Sequence, residues 1–313
     1  MGNQFNQKID DVMKVASEFI VGQHELLESM MMALICEGHL LIEGVPGLGK
    51  TSSVSLLAKL CELKFQRIQF TPDLLPSDLT GSVLLIGSEA EERIKFGPIF
   101  TQLLLADEIN RAPAKIQSAL LEAMQERQVT IGDVSYKLTA PFVVLATQNP
   151  IEQEGTFNLP EAQLDRFMMK VTLDYPSIEE EKKIILSHKS SEEKLLEIKA
   201  MLATDDFISM REEIDKVFVD EKIVNYIVEI VNMTRKKEAT YISCGAGPRA
   251  SLWLYKLAQY DAFRKGSDFV SPENLLAIAP RVLAHRIILS YEAKIENLTA
   301  LEVIQQILKK VLL

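Results

Sequence analysis

At 313 residues with 47% hydrophobic content, the chain is long enough for two domains and apolar enough to fill both cores. Acidic residues outnumber basic ones, 44 to 34, and the formal net charge of −10 argues against a mainly electrostatic grip on nucleic acid or an anionic membrane. No run reaches the roughly 18 apolar residues of a bilayer span, and the first residues lack the order of a signal peptide.

Cys36, Cys61 and Cys244 are widely spaced and form no C-x-x-C pair, so they read as reduced core thiols of a cytoplasmic protein. From about Phe5 to Glu37 the pattern is helical, with a break near Ile20-Val21-Gly22-Gln23. The apolar run Leu40-Leu41-Ile42 then leads into Gly44-Val45-Pro46-Gly47-Leu48-Gly49-Lys50-Thr51, and Val54, Leu56, Leu57 and Leu60 follow at helical spacing. This is the G-x-x-x-x-G-K-[ST] phosphate loop between a buried strand and an amphipathic helix. Its glycines let backbone N–H groups converge on phosphate oxygens, and the helix aims its positive end at the same anion. Lys50 is expected to bridge the outer phosphates and Thr51 to ligate Mg²⁺. The chain is therefore expected to bind a nucleoside triphosphate.

Strand-like runs recur at Phe65–Phe70, Leu103–Ala106, Phe142–Ala146 and Met168–Leu173, with helical segments between the earlier ones. That alternation predicts a parallel sheet covered by helices. Leu103-Leu104-Leu105-Ala106 ends in Asp107-Glu108, placing Asp107 to hold the Mg²⁺ hydration shell and Glu108 to polarise the attacking water. Alternation along a strand predicts that the two carboxylates point in different directions. The next strand ends at Thr147-Gln148-Asn149-Pro150, where the Asn149 amide is a candidate for the γ-phosphate or the lytic water; a turn-forming Asn before Pro is the bland alternative.

Two hairpins interrupt this first region. Ser82–Ile86 and Arg93–Phe96 flank one turn; Gln128–Ile131 and Ser135–Leu138 flank Gly132-Asp133. After Tyr175-Pro176 the character changes. Capping boxes at Ser177/Glu180 and Thr299/Glu302, and the stripe Ile223, Tyr226, Ile227, Ile230 and Val231 with Asp220 as N-cap, predict a helical bundle from about residue 175. Arg166 in Leu-Asp-Arg-Phe and Arg249 in Gly-Pro-Arg-Ala are either surface arginines paired with carboxylates or cations aimed at a phosphoryl transition state. The His285-Arg286 pair reads as a buttress of the helical region.

These motifs, in this order, resemble those of an AAA+ ATPase. The strings Arg67-Ile68-Gln69-Phe70-Thr71-Pro72-Asp73-Leu74-Leu75-Pro76-Ser77-Asp78, Phe96-Gly97-Pro98-Ile99-Phe100 and Asp107-Glu108-Ile109-Asn110-Arg111-Ala112 resemble the MoxR family within it, from about Ile20 to Asn297. The resemblance implies an α/β fold: a P-loop core with a parallel sheet covered by helices (1–174), followed by a C-terminal helical lid (175–313). It makes the hairpins a helix-2 insertion (about 74–100) and a pre-sensor hairpin (about 128–138).

For the site it implies Val21 and Gly22 bordering adenine, Asn149 as sensor 1, Arg166 as a finger reaching a neighbouring subunit's nucleotide, and Arg249 as sensor 2. Gly247 stands where family members often carry another small residue such as Ser. Arg111 has no assigned role. The resemblance further implies ATP and Mg²⁺ as ligands, a hexameric homo-oligomer, and a protein client, often one with a von Willebrand factor A domain. A nucleic-acid motor or loader is the alternative, disfavoured by the acidic balance.

Overall fold

The computed structural model describes residues 2–45, 47–86, 91–149, 157, 159–186, 198–236 and 240–311. They divide into two compact units. One contains 8–159 and 171–207; the other contains 1–7, 160–170 and 208–313. Among the described residues, no helix is long and apolar enough to cross a membrane.

In the first unit, α1 (Gly2–Phe19, most of it here) and α2 (His24–Cys36) precede β1 (Leu40–Gly44), and α3 (Lys50–Leu60) leads to β2 (Phe65–Gln69). Next come α4 (Pro76–Thr80), the hairpin β3 (Gly81–Ile86) and β4 (Glu91–Phe96), then β5 (Leu103–Asp107). Helix α5 (Ala114–Glu126), the hairpin β6 (Gln128–Ile131) and β7 (Val134–Lys137), β8 (Val143–Gln148) and, later in the chain, α7 (178–186) complete the series. The central sheet has the order β2-β5-β8-β1-β9, where β9 is Met169–Leu173. Strands β1, β2, β5 and β8 pair in parallel, so their C-terminal ends share one edge. Leu103, Leu104, Leu105, Val143, Val144 and Leu145 are fully buried. That explains why these strands read as continuous apolar runs, and removing one such leucine side chain costs about 2–5 kcal/mol.

Both predicted hairpins form, antiparallel and in register; the turn at 87–90 lies outside the described residues. Phe96 and Phe100 meet Tyr136 of β7 edge-on, with ring centroids 5.3 and 6.4 Å away, so the two hairpins pack on each other. Gly81 and Gly97 are required at the hairpin base, because a Cβ on either would lie 2.2 Å from a backbone oxygen.

Buried His39 binds the start of β1 to its neighbours. Its Nδ1 accepts the Val144 N–H at 3.0 Å, which leaves Nε2–H to donate to the Met124 carbonyl at 3.1 Å. Burial pushes this imidazole down to about 4, with the Met124 hydrogen bond opposing. Its folded pKa therefore lies below the unfolded value of 6.5. The contribution is complete above pH 6.5 and is lost as pH falls toward 4, about 3 kcal/mol in all. His39→Gln is accordingly expected to lower proton uptake on unfolding at pH 5.5 by about one, measured by the pH dependence of the unfolding free energy.

The second unit is mainly helical: α8 (Thr204–Ile214, most of it here), α9 (Glu221–Met233), α10 (Pro248–Arg264), α11 (Pro272–Leu283), α12 (Tyr291–Ile295) and α13 (Ala300–Lys310). The predicted caps are present. Asp220 accepts the Lys222 N–H, and Thr299 and Glu302 form their box. The predicted stripe of α9 is buried. One short feature accompanies the helices: Ile242–Cys244 and Ile288–Leu289 pair as an antiparallel ribbon, too short to carry a periodic signal. Cys244 lies on that ribbon and is exposed, so only Cys36 and Cys61 are core thiols.

Candidate functional site

The phosphate loop joins β1 to α3 at the C-terminal edge of the sheet. Gly47 (φ +87°) and Gly49 (φ +69°) are left-handed, and a Cβ on either would meet nothing within 4 Å. Backbone conformation therefore demands glycine here, while the space over the loop stays open to a ligand. Helix α3 starts at Lys50, so the free N–H groups of its first turn and its positive dipole end face that opening. Pro46 lies outside the described residues; Val45 and Leu48 are half-buried.

Gln23 anchors the loop. Its Nε2 donates to the Leu48 carbonyl, and its Oε1 accepts from Ser53 Oγ at 3.1 Å. The side chain thus ties the start of α2 to the loop, directly after Val21 and Gly22 in the chain. Gly22 is left-handed (φ +78°), and a Cβ there would lie 3.0 Å from the Glu180 carboxyl carbon.

Lys50 Nζ donates to the Gly44 carbonyl at 2.7 Å. Burial lowers its pKa, while Asp107 and Glu108 raise it, so both carboxylates act on this ammonium. Asp107 ends β5. Its Oδ1 accepts from Thr147 Oγ1 at 2.6 Å, and its Oδ2 accepts from Arg67 Nη2 at 2.6 Å and Nε at 3.2 Å. Glu108 Oε2 accepts from Gln69 Nε2 at 2.9 Å and from Arg111 Nη1 at 3.0 Å. The Glu108 N–H donates to Thr147 Oγ1 at 2.8 Å. One buried hydroxyl thereby receives a backbone proton from Glu108 and gives its own to Asp107.

Strand alternation does not separate these carboxylates. Glu108 lies past the end of β5 in left-handed backbone (φ +54°), and that turn sets its direction. Asn149 follows β8 at the same edge, and its carbonyl accepts from Asn110 Nδ2 at 3.3 Å. Lys50, Asp107, Glu108 and the β8 end are thus grouped in one unit.

Gln23, Arg67, Gln69 and Thr147 were not singled out by sequence reasoning. Arg67 and Gln69 are two apart on β2, hence on one face, and Gln69 is paired in register with Asp107. The polar alternation Arg-Ile-Gln was a usable signal. The strand order that gives it meaning was not.

The second unit holds both remaining arginines. Arg166 follows α6 (Glu161–Leu164) and is half-buried; among the described residues its guanidinium has no hydrogen-bond or ion-pair partner. Arg249, in the first turn of α10, donates from Nη1 to Asp165 Oδ2 at 2.8 Å. Gly247 is the N-cap of that helix, and a Cβ there would lie 3.9 Å from Asp165 Oδ2, an ordinary contact that a serine satisfies.

The donor set decides which metal fits. Thr51 and Asp107 offer a hydroxyl and one carboxylate, and no group of three or more His, Cys, Asp or Glu suited to a metal occurs among the described residues. Mg²⁺ suits such a sparse oxygen set, since it keeps waters and takes phosphate oxygens, whereas Zn²⁺ favours a closed protein cage.

The family model for ATPases associated with various cellular activities matches residues 39–169, and the model for the AAA lid domain matches 234–307. The chain is 43% identical to Chaperone MoxR1 of Mycobacterium tuberculosis over 94% of its own length and 79% of the relative's. It is 44% identical to YeaC of Bacillus subtilis over 93% and 90%, and 27% identical to Protein MoxR of Methylorubrum extorquens over 86% and 84%. The crystal structure of a protein from Cytophaga hutchinsonii, described as a putative ATPase, superposes with a TM-score of 0.92 at 44% identity, covering 99% of this chain and 96% of that one. The phosphate loop, the paired carboxylates and these matches over nearly the whole chain agree: it belongs to the MoxR family of AAA+ ATPases and is an ATP hydrolase.

Proposed function

We propose that the chain hydrolyses ATP with Mg²⁺ in a ring of like subunits, and that the ring remodels or activates a client protein. The observation that carries this reading is the grouping of Lys50, Asp107 and Glu108 at the sheet edge beside the glycine-shaped loop. In this reading residues 1–174 form the nucleotide-binding core and 175–313 the lid. Val21 and Gly22 border the adenine, which the Gln23 anchor supports. Gly44, Val45, Pro46, Gly47, Leu48 and Gly49 wrap the phosphates, and Lys50 exchanges the Gly44 carbonyl for phosphate oxygens. Thr51 and Asp107 hold the Mg²⁺, which neutralises phosphate charge when bound. Glu108 takes the proton from the attacking water, and Asn149 orients that water or the γ-phosphate.

Arg249 contacts the phosphate bound by its own chain, and Arg166 reaches the nucleotide of a neighbouring subunit. The absence of a partner for the Arg166 guanidinium among the described residues supports its reaching outward. A finger given in trans makes the contact heterologous, so repetition closes a ring, and a hexamer is the proposed size. The two packed hairpins form the face toward a client, which in this reading is a protein with a von Willebrand factor A domain rather than nucleic acid. One relative carries the name chaperone, which supports a protein client.

Phosphate release measured with ATP and Mg²⁺, with Mg²⁺ chelated, and with DNA added tests the reading. Release that needs Mg²⁺ and ignores DNA is expected. Metal-independent release or strong stimulation by DNA would contradict it.

A further inference from the structure

The guanidinium of Arg286 is 1% exposed, and all five of its N–H groups have acceptors. Nε donates to Asp165 Oδ1 at 2.9 Å; Nη2 to the Asp165 carbonyl at 3.2 Å and the Phe167 carbonyl at 2.5 Å; Nη1 to the Met168 carbonyl at 3.0 Å and to the Val282 carbonyl. Four of the five acceptors belong to residues 165–168, the turn that leaves α6 and carries Arg166. His285 Nε2 adds a hydrogen bond to the Phe167 carbonyl at 3.2 Å. Burying an arginine is costly, and satisfaction of four of its five N–H groups by one short turn makes that turn the object it holds.

Asp165 has a second partner. Its Oδ1 is taken by Arg286, and its Oδ2 by Arg249 at 2.8 Å. One carboxylate therefore stands between a buried, fixed guanidinium and a half-exposed, movable one. Arg166 is its immediate neighbour in the chain.

We propose that Asp165 couples Arg249 to the turn bearing Arg166, with Arg286 as the positioning residue that gives this coupling a rigid frame. The inference rests on the proposed roles of Arg249 toward its own chain's nucleotide and of Arg166 toward a neighbour's. When Arg249 turns to a phosphate, Asp165 loses one of its two cations and the turn that aims Arg166 resettles. A subunit's own nucleotide thereby adjusts the finger it offers to the next subunit.

Mixed assemblies isolate this effect. A Lys50→Ala subunit cannot use its own site but can donate a finger, whereas an Arg166→Ala subunit keeps its site and lacks the finger. Mixing the two is expected to recover ATP turnover that neither has alone. Arg249→Ala is then added to the Lys50→Ala donor, where Arg249 has no nucleotide of its own to contact. Asp165→Asn is added to the same donor, and then both together.

Each single addition is expected to lower the recovered kcat roughly tenfold at unchanged KM for ATP, and the combination no further than Asp165→Asn alone. Arg249 is half-exposed, so its variant keeps the test valid if Asp165→Asn unfolds, which thermal unfolding of each donor reports. Undiminished recovery with the Arg249→Ala donor would overturn the coupling, as would strictly multiplicative losses. Failure of the starting pair to recover any turnover would instead refute the trans-finger reading, and the inference would fall with it.

Discussion

Glu108→Gln is expected to reduce ATP turnover by about 10²–10⁴-fold while leaving nucleotide affinity within a few-fold. The amide keeps the shape of the side chain but cannot accept a proton from water. Gln69 at 2.9 Å and Arg111 at 3.0 Å fix the carboxylate from two sides, and the left-handed Glu108 backbone aims it away from the strand. The Thr147–Asp107 and Lys50–Gly44 hydrogen bonds are untouched by the change, and Asp107 still acts on the Lys50 ammonium, so binding survives. Single-turnover kinetics beside equilibrium binding of a fluorescent ATP analogue separates the two effects. Turnover within a few-fold of the parent would remove Glu108 from the chemistry.

Arg166→Ala is expected to lower kcat by about 10³-fold or more, the usual worth of an arginine finger, with little change in binding of the chain's own nucleotide. The half-buried side chain is unpaired among the described residues, so its removal breaks no hydrogen bond found there. Stability should therefore stay within about 0.5 kcal/mol. An Arg249→Ala chain should differ, losing nucleotide affinity in keeping with the role proposed for it toward its own chain's phosphate. Steady-state kcat and KM with thermal unfolding of both variants distinguish them. Equal losses in both KM and stability would make Arg166 a structural arginine.

The phosphate loop was legible because its chemistry sits in eight consecutive residues, and because the apolar strand and amphipathic helix that flank it carry strong periodic signals. The buried strands were legible for the same reason: Leu103, Leu104 and Leu105 have no polar face to hide. Thr147 was not, because a threonine at a strand end acquires its role only when β8 is inserted between β1 and β5. Arg67 and Gln69 depend on the pairing of β2 with β5 in the same way. The two carboxylates do have separate partners, but the left-handed backbone that directs Glu108 leaves no mark in the sequence. The Ile242–Cys244 ribbon escaped because three residues cannot show a period, and exposed Cys244 was misread with it. Arg286 was read as a buttress. Four of its five acceptors come from the distant segment 165–168, the fifth from Val282 one turn before it, and no sequence pattern links that segment to it.

In the proposed ring, one chain holds an incomplete catalytic site, finished by a neighbour's Arg166. Specific ATPase activity measured across chain concentration, with particle mass read in parallel, tests it most directly. Activity per chain should rise with concentration alongside a ring-sized species and vanish in Glu108→Gln at every concentration. Constant activity per chain from a species of monomer mass would contradict the account.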